Sequence, residues 1–312
     1  MSAFGIAGQT TVRDGRKLHH VTLGEGEPLV VFEAGGTGSR TTWGLVQGKV
    51  AERTATLSYD RAGFGRSEPD PGPRTLDRIV DDLSDLIDSV STGPCLLVGH
   101  SLGGPISRSY ARRRPDRVVG LVLVDQTAED CGFYYSKAFQ HVGTLSHWIF
   151  TTPMARMGLL GAMARRTLYR NFPEPMLREI RQEKFSPAAL HAHRSETRHL
   201  AAGLDAMRTL QDEHALPDIP VTLISARRSS RGMWSELAVS HQRLAAALPT
   251  ANIPGPKKAV TWYRWNNRKS SSPPSSISSP DSPHSPSKKN LNSRAPGVKS
   301  LTDRPGARKC RV

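Results

Sequence analysis

The sequence predicts an α/β protein: a doubly wound, mostly parallel sheet with a helical lid inserted into it and a basic, disordered tail behind it. Three observations carry that expectation. Short continuous apolar runs (Leu29–Phe32, Cys95–Val98, Val118–Val124) alternate with helix-patterned stretches, the order that gives parallel strands joined by right-handed crossovers. Each run breaks at its carboxyl end into glycine or a polar residue, where open α/β sheets collect their chemistry. The strand pattern then stops from about Ala128 to Leu216 and resumes at Ile219.

Taken in order, residues 9–13 and 16–23 flank Asp14-Gly15, a strong hairpin signal. Leu29-Val30-Val31-Phe32 has the unbroken apolarity of a strand covered on both faces. It runs into the turn Glu33-Ala34-Gly35-Gly36-Thr37-Gly38-Ser39. Residues 55–59 form the next strand, followed by Asp60-Arg61-Ala62-Gly63-Phe64-Gly65-Arg66-Ser67. A helix is expected over Thr75–Val90, with Thr75 as N-cap and Ile79, Leu83, Leu86, Ile87 and Val90 as its apolar stripe.

Leu96 to Gly104 reads L-L-V-G-H-S-L-G-G, and Gly99-His100-Ser101-Leu102-Gly103 fits G-x-S-x-G. Glycines at 99 and 103 allow a sharp strand-to-helix turn that leaves the Ser101 hydroxyl at the apex. The Leu102 N–H, at the helix's positive end, can face an oxyanion there. A bare match recurs by chance as a glycine-rich turn; the strand before and the helix after give this one its weight. That helix runs to about Arg114 and stops at Pro115; the Val118–Val124 strand ends in Asp125.

From 128 to 216 the chain is helical in pattern and rich in aromatics and methionine, among them Phe133, Tyr134, Tyr135, Phe139, Trp148, Phe150, Met154, Met157 and Met163. It reads as a lid over the strand ends; a small helical bundle with its own core is compatible and accounts for most of those side chains. Ile219–Ile224 and a helix from Met233 to Leu248 complete the sheet. The divisions are therefore 1–127 and 217–250 for the core, 128–216 for the lid and 251–312 for a low-complexity tail.

The chain has 312 residues and a net charge of +15, but residues 251–312 alone carry 13 Lys/Arg against 2 Asp/Glu. The body is near neutral, so the charge calls for no specific nucleic-acid partner; tail binding would be weak and strongly salt-dependent. The three cysteines (Cys95, Cys131, Cys310) make neither a disulfide framework nor a metal cluster, and no cofactor motif stands out. The first residues lack the basic and apolar regions of a leader, and no run nears the roughly 20 apolar residues that span a bilayer. A cytoplasmic protein without a membrane partner is the expectation.

By these residues the sequence resembles the α/β-hydrolase family over residues 9 to about 250. E-A-G-G-T-G-S before Trp43 is similar to the family's oxyanion loop, with Ala34-Gly35 in place of its usual histidine-glycine. Y-D-R-A-G-F-G-R-S at 59–67 is similar to the loop after the next strand, and G-H-S-L-G-G at 99–104 resembles the nucleophile elbow. The resemblance implies Ser101 as nucleophile, the N–H groups of Leu102 and Gly36 as the oxyanion hole, and a small, largely apolar ester-like substrate cleaved through an acyl-enzyme. It gives His100 no role as base, and Asp60 and Arg61 a loop-stitching role. The family's usual acid position, after the strand at 219–224, holds only Ser225-Ala226-Arg227-Arg228-Ser229-Ser230. Asp125, at the end of the preceding strand, is the acid favoured here over a simple helix cap.

The family pattern breaks after Thr250. Where an apolar strand and a Gly-His pair are expected, the chain turns Ser-, Pro- and Lys-rich. The abrupt change suggests a frame-shifted or otherwise replaced C-terminus, which reading the gene in its other two frames tests. His284 is the weak candidate left for the general base, and His241 is expected to pack or face solvent. Two readings follow: a serine hydrolase, or an impaired pseudoenzyme lacking the triad histidine. A cofactor-free haloperoxidase or lyase is compatible with the same residues.

Overall fold

The computed structural model describes residues 4–137, 171–183, 186–213, 216–225, 232–248 and 251–252, together with 139, 159 and 169. They belong to a unit spanning Met1–Arg264; the second unit, Trp265–Val312, lies outside the described residues, as do the aromatic and methionine side chains of 148–163.

Among the described residues eight strands form one sheet in the order β1-β2-β4-β3-β5-β6-β7-β8. The hairpin is β1 (Ile6–Thr11) and β2 (Lys17–Leu23), antiparallel across a turn in which Gly15 holds φ +85°. A positive φ is why glycine follows Asp14 there. β2 also runs antiparallel to β4 (Thr56–Tyr59). From β4 onward every pairing is parallel, through β3 (Leu29–Glu33), β5 (Cys95–His100), β6 (Val118–Val124), β7 (Val221–Ile224) and β8 (Ala251–Asn252). All five residues of β3 are buried, as its unbroken apolarity predicts.

Helices cover both faces. α2 (Leu76–Val90) starts where Thr75 Oγ1 accepts a 3.3 Å hydrogen bond from the Arg78 N–H, and its stripe Ile79, Leu83, Leu86 and Ile87 is fully buried. With α3 (Gly103–Arg113) it packs on Val31, Leu57, Leu97, Leu121 and Leu223. The alternate strand residues Val30, Phe32 and Val98 face the other way, against Trp43 and α1 (Gly44–Val50), an element the sequence reading missed. On that face Leu96, Val122 and Val124 are only half-buried.

β7 begins at Val221 rather than Ile219, because Pro220 has no N–H for the ladder. β8 corrects the boundary drawn at 250: Ala251 and Asn252 pair with Val221 and Thr222, so the sheet runs two residues into the segment assigned to the tail. The Ser- and Pro-rich composition starts only beyond them.

Between β6 and β7 the described chain holds α4 (Glu174–Glu183) and α5 (Pro187–Glu213). Both are fastened to the core by buried ions. Arg40, fully buried, meets Asp60, Glu179 at 2.9 Å and Glu183 at 2.7 Å, and Arg61 meets Glu196 at 2.9 Å. Tyr134, Cys131, Leu204, Met207 and Leu237 form one apolar cluster with Phe133, Tyr135 and Phe139 around it. These described aromatics pack together with Leu76 and Leu237, side chains from outside 128–216. α6 (Met233–Ala247) follows β7.

Candidate active site

Ser101 sits directly after β5 with φ +50°, the left-handed conformation expected of a serine at a forced bend. Its neighbours show why glycines surround it. A Cβ at Gly99 would lie 2.7 Å from the Gly103 carbonyl carbon, and one at Gly103 would lie 2.9 Å from that of Glu33. Strand and helix thus approach at a separation that only missing side chains permit. The Ser101 N–H donates to the Val124 carbonyl at 3.0 Å, and the Ser101 carbonyl accepts from the Thr127 N–H at 2.9 Å. Ser101 itself is half-buried at the surface of this turn.

Only three described non-glycine residues have positive φ: Thr37 (+60°), Ser101 (+50°) and Asp125 (+46°). They occupy the turns that leave β3, β5 and β6, which are adjacent in the sheet. Such backbone conformations cost about 1–3 kcal/mol each and gather where surrounding structure holds a reactive geometry in place. Three of them at one sheet edge make this edge the candidate site.

The turn after β3 reaches the elbow directly. A side chain at Gly35 would stand 2.9 Å from His100 Nδ1 and 3.1 Å from Ser101 Cβ, so glycine is required for the approach. The turn is closed by the Gly38 N–H donating to the Gly35 carbonyl at 3.0 Å. Arg61 braces it from behind, donating to the carbonyls of Ala34 (2.6 Å) and Gly35 (2.8 Å) and to Glu33 (2.7 Å). Glu33 is fully buried and also takes the Tyr59 hydroxyl; burial pushes its carboxyl upward while Arg61 opposes.

Asp125 follows β6 beside the elbow, its N–H donating to the Ile224 carbonyl at 2.7 Å. In the register His100 is paired with Val124, so Ser101 and Asp125 leave neighbouring strands side by side. The segment after Asp125 is held by His241 on α6, whose Nε2 lies 2.8 Å from the Gln126 carbonyl and whose Nδ1 lies 2.9 Å from Ser225 Oγ. The carbonyl can only accept, so Nε2 carries the proton and Nδ1 accepts from the serine. Burial pushes the His241 pKa down. With both nitrogens committed, His241 is a packing residue, one of the two roles expected for it.

Asp60 is fully buried and binds Arg40, taking its side chain, its N–H at 3.0 Å and the Arg66 N–H at 3.1 Å. Burial pushes its carboxyl up to about 6 against the pull of Arg40. It stitches the loop after β4 to the turn Arg40–Trp43, as the sequence reading expects. His284 and the loop residues Ala226–Ser230 lie outside the described residues. His193, on α5, was missed by sequence reasoning: a side chain at Gly36 would stand 3.6 Å from its Cε1. One of three histidines (His191, His193, His199) in a long helical pattern carries no signal that it will fold back over a turn more than 150 residues earlier. Among the described residues no group of three or more potential metal ligands is assembled, and no helix is long and apolar enough to cross a membrane.

Comparison with known proteins agrees with this fold. A family model described as "Alpha/beta hydrolase family" matches residues 30–266. A lipase of Mycobacterium tuberculosis is 46% identical over 66 residues, 21% of this chain and 25% of the lipase. An sn-1-specific diacylglycerol lipase of Mus musculus is 35% identical over 100 residues, 31% of this chain and 32% of that protein. The chain thus spans less than half the length of these curated relatives. A thermophilic esterase from Thermogutta terrifontis superposes with a TM-score of 0.60 at 23% identity, covering 80% of this chain and 89% of the esterase, a likeness of fold.

Proposed function

The chain belongs to the alpha/beta hydrolase family, and from that premise we propose that it is a serine hydrolase cleaving a small, apolar carboxylic ester or related acyl compound. The Ser101 oxygen bonds to the carbonyl carbon, the ester C–O bond breaks and the serine proton leaves on the alcohol; water then adds to the acyl-enzyme, releasing the acid and returning a proton to Ser101. The N–H groups of Leu102 and Gly36 hold the oxyanion, and Asp125 is the acid. Serine supplies the nucleophile, so the route calls for no metal or cofactor. The observation that carries this reading is Ser101 at φ +50°, with the Gly35 turn close enough that a methyl group there would touch its Cβ. The lipases among the relatives act on esters by name, which supports the same substrate class.

A second reading, a member of the family impaired in proton transfer, is favoured by His241. It lies beside Asp125's turn, and both of its ring nitrogens are engaged. Loss of one triad member leaves roughly 10³–10⁴-fold catalysis over water. Hydrolysis of short-chain nitrophenyl esters separates the two. Turnover abolished by Ser101→Ala supports the first reading, a soluble folded chain with no turnover supports the second, and turnover that survives Ser101→Ala overturns the first.

A further inference from the structure

Arg61 has five N–H donors, and all five are used. Nε and Nη2 grip Glu196 on α5 at 2.9 and 3.0 Å; Nη1 reaches Glu33 and the Ala34 carbonyl; the remaining Nη2 proton reaches the Gly35 carbonyl. The guanidinium and both carboxylates are almost wholly shielded from solvent. A trans peptide points its C=O and N–H in opposite directions. Holding the Gly35 oxygen against Arg61 therefore fixes the direction of the Gly36 N–H on the far side.

We infer that Glu196 is a positioning residue for the oxyanion hole: through Arg61 it sets the Gly35–Gly36 peptide, so that seating of α5 and formation of the hole are one event. This rests on the proposed role of the Gly36 N–H. The fork from Glu196 fixes the rotation of the guanidinium plane, since both of its oxygens bind the same edge. With an amide in its place, an NH₂ group faces a guanidinium N–H, two donors meet, and the plane turns. The Ala34 carbonyl then loses Arg61, and the Gly35 carbonyl is left with the Gly38 N–H alone to hold it. Arg74, 4.0 Å from Glu196, keeps Asp70 and Asp82 at 2.8 Å each, so its place does not depend on Glu196.

The test compares Glu196→Gln with Glu196→Asp and with Glu179→Gln. The last removes charge from another contact between the inserted segment and the core that does not touch the turn. On the full chain labelled with ¹⁵N-glycine, hydrogen exchange at the Gly36 amide is measured beside kcat and KM for a nitrophenyl ester. Glu196→Gln is expected to speed Gly36 exchange and lower kcat roughly 10-fold, part of the 10²–10³-fold loss typical of a deleted oxyanion donor, while KM stays within about 2-fold. Glu196→Asp should recover part of both, and Glu179→Gln should change neither. Wild-type exchange and kcat in Glu196→Gln, or equal losses in Glu179→Gln, overturn the inference. If the wild type turns over no ester, the proposed function fails, and Gly36 exchange alone decides this inference.

Discussion

Replacing Gly103 by alanine puts a methyl group where the start of α3 meets the end of β3. The new carbon would stand 2.9 Å from the Glu33 carbonyl carbon, 3.0 Å from the Ala34 oxygen and closer still to the Glu33 oxygen. Ordinary contacts lie near 3.5–4.0 Å. All three atoms are backbone, so no side chain can rotate aside and helix and strand must separate by roughly half an ångström or more. Overpacking of this kind costs about 1–3 kcal/mol, and the absence of a soft neighbour puts this case near about 3. At about 2–4 °C per kcal/mol for a chain of this class, Tm should fall by about 6–12 °C. Displacement of Ser101 from the oxyanion turn should also slow its acylation, by up to about 100-fold for a 1 Å shift. The companion is Gly48→Ala in α1, where an added Cβ meets nothing within 4 Å. It should raise stability by about 0.5–1 kcal/mol. Differential scanning fluorimetry and the rate of Ser101 acylation read both variants. A Gly103→Ala protein melting within about 1 °C of wild type, with unchanged acylation, would refute the close-approach reasoning.

Two further perturbations follow from the buried charges. His19 is buried, and burial first, then Arg40 and Arg66, push its pKa down to about 4. The folded state therefore holds fewer protons than the unfolded one below pH 6.5, and stability present at neutral pH is lost as pH falls toward about 4; urea titrations of His19→Gln should show a flatter acid limb, and an unchanged limb counts against this. Arg40→Met leaves Asp60 buried without its guanidinium and leaves Glu183 with Arg66 alone. Such a broken pair costs about 3–5 kcal/mol, so a midpoint shift under about 1 kcal/mol in chemical unfolding argues that the cluster is not a structural tie.

Most of the sheet was legible because its strands are short, apolar and end in glycine or a polar residue. Leu29–Phe32, Cys95–Val98 and Val118–Val124 each became a parallel strand, and Thr75 became the cap that its hydroxyl and position suggest. The elbow was legible too, since steric need at 99 and 103 leaves glycine as the visible trace. What escaped was set by tertiary contact. α1 carries glycines at 44 and 48 and no apolar stripe strong enough to announce a helix; it exists because Trp43 and Val46 cover Phe32 and Val98. Nor could the sequence show that Glu196 would meet Arg61 across 135 positions, or that His193 would lie against Gly36. Charges that pair at such range have no local periodicity to betray them.

The Ser101 oxygen is proposed here as a nucleophile facing the oxyanion turn. Mass mapping after treatment with a fluorophosphonate tests it most directly, since the reagent phosphonylates an activated serine and leaves ordinary hydroxyls alone. A single adduct is expected on the peptide containing Ser101, absent in Ser101→Ala and slowed in Gly103→Ala. An adduct that persists in Ser101→Ala, or no adduct on a folded wild-type chain, would contradict it.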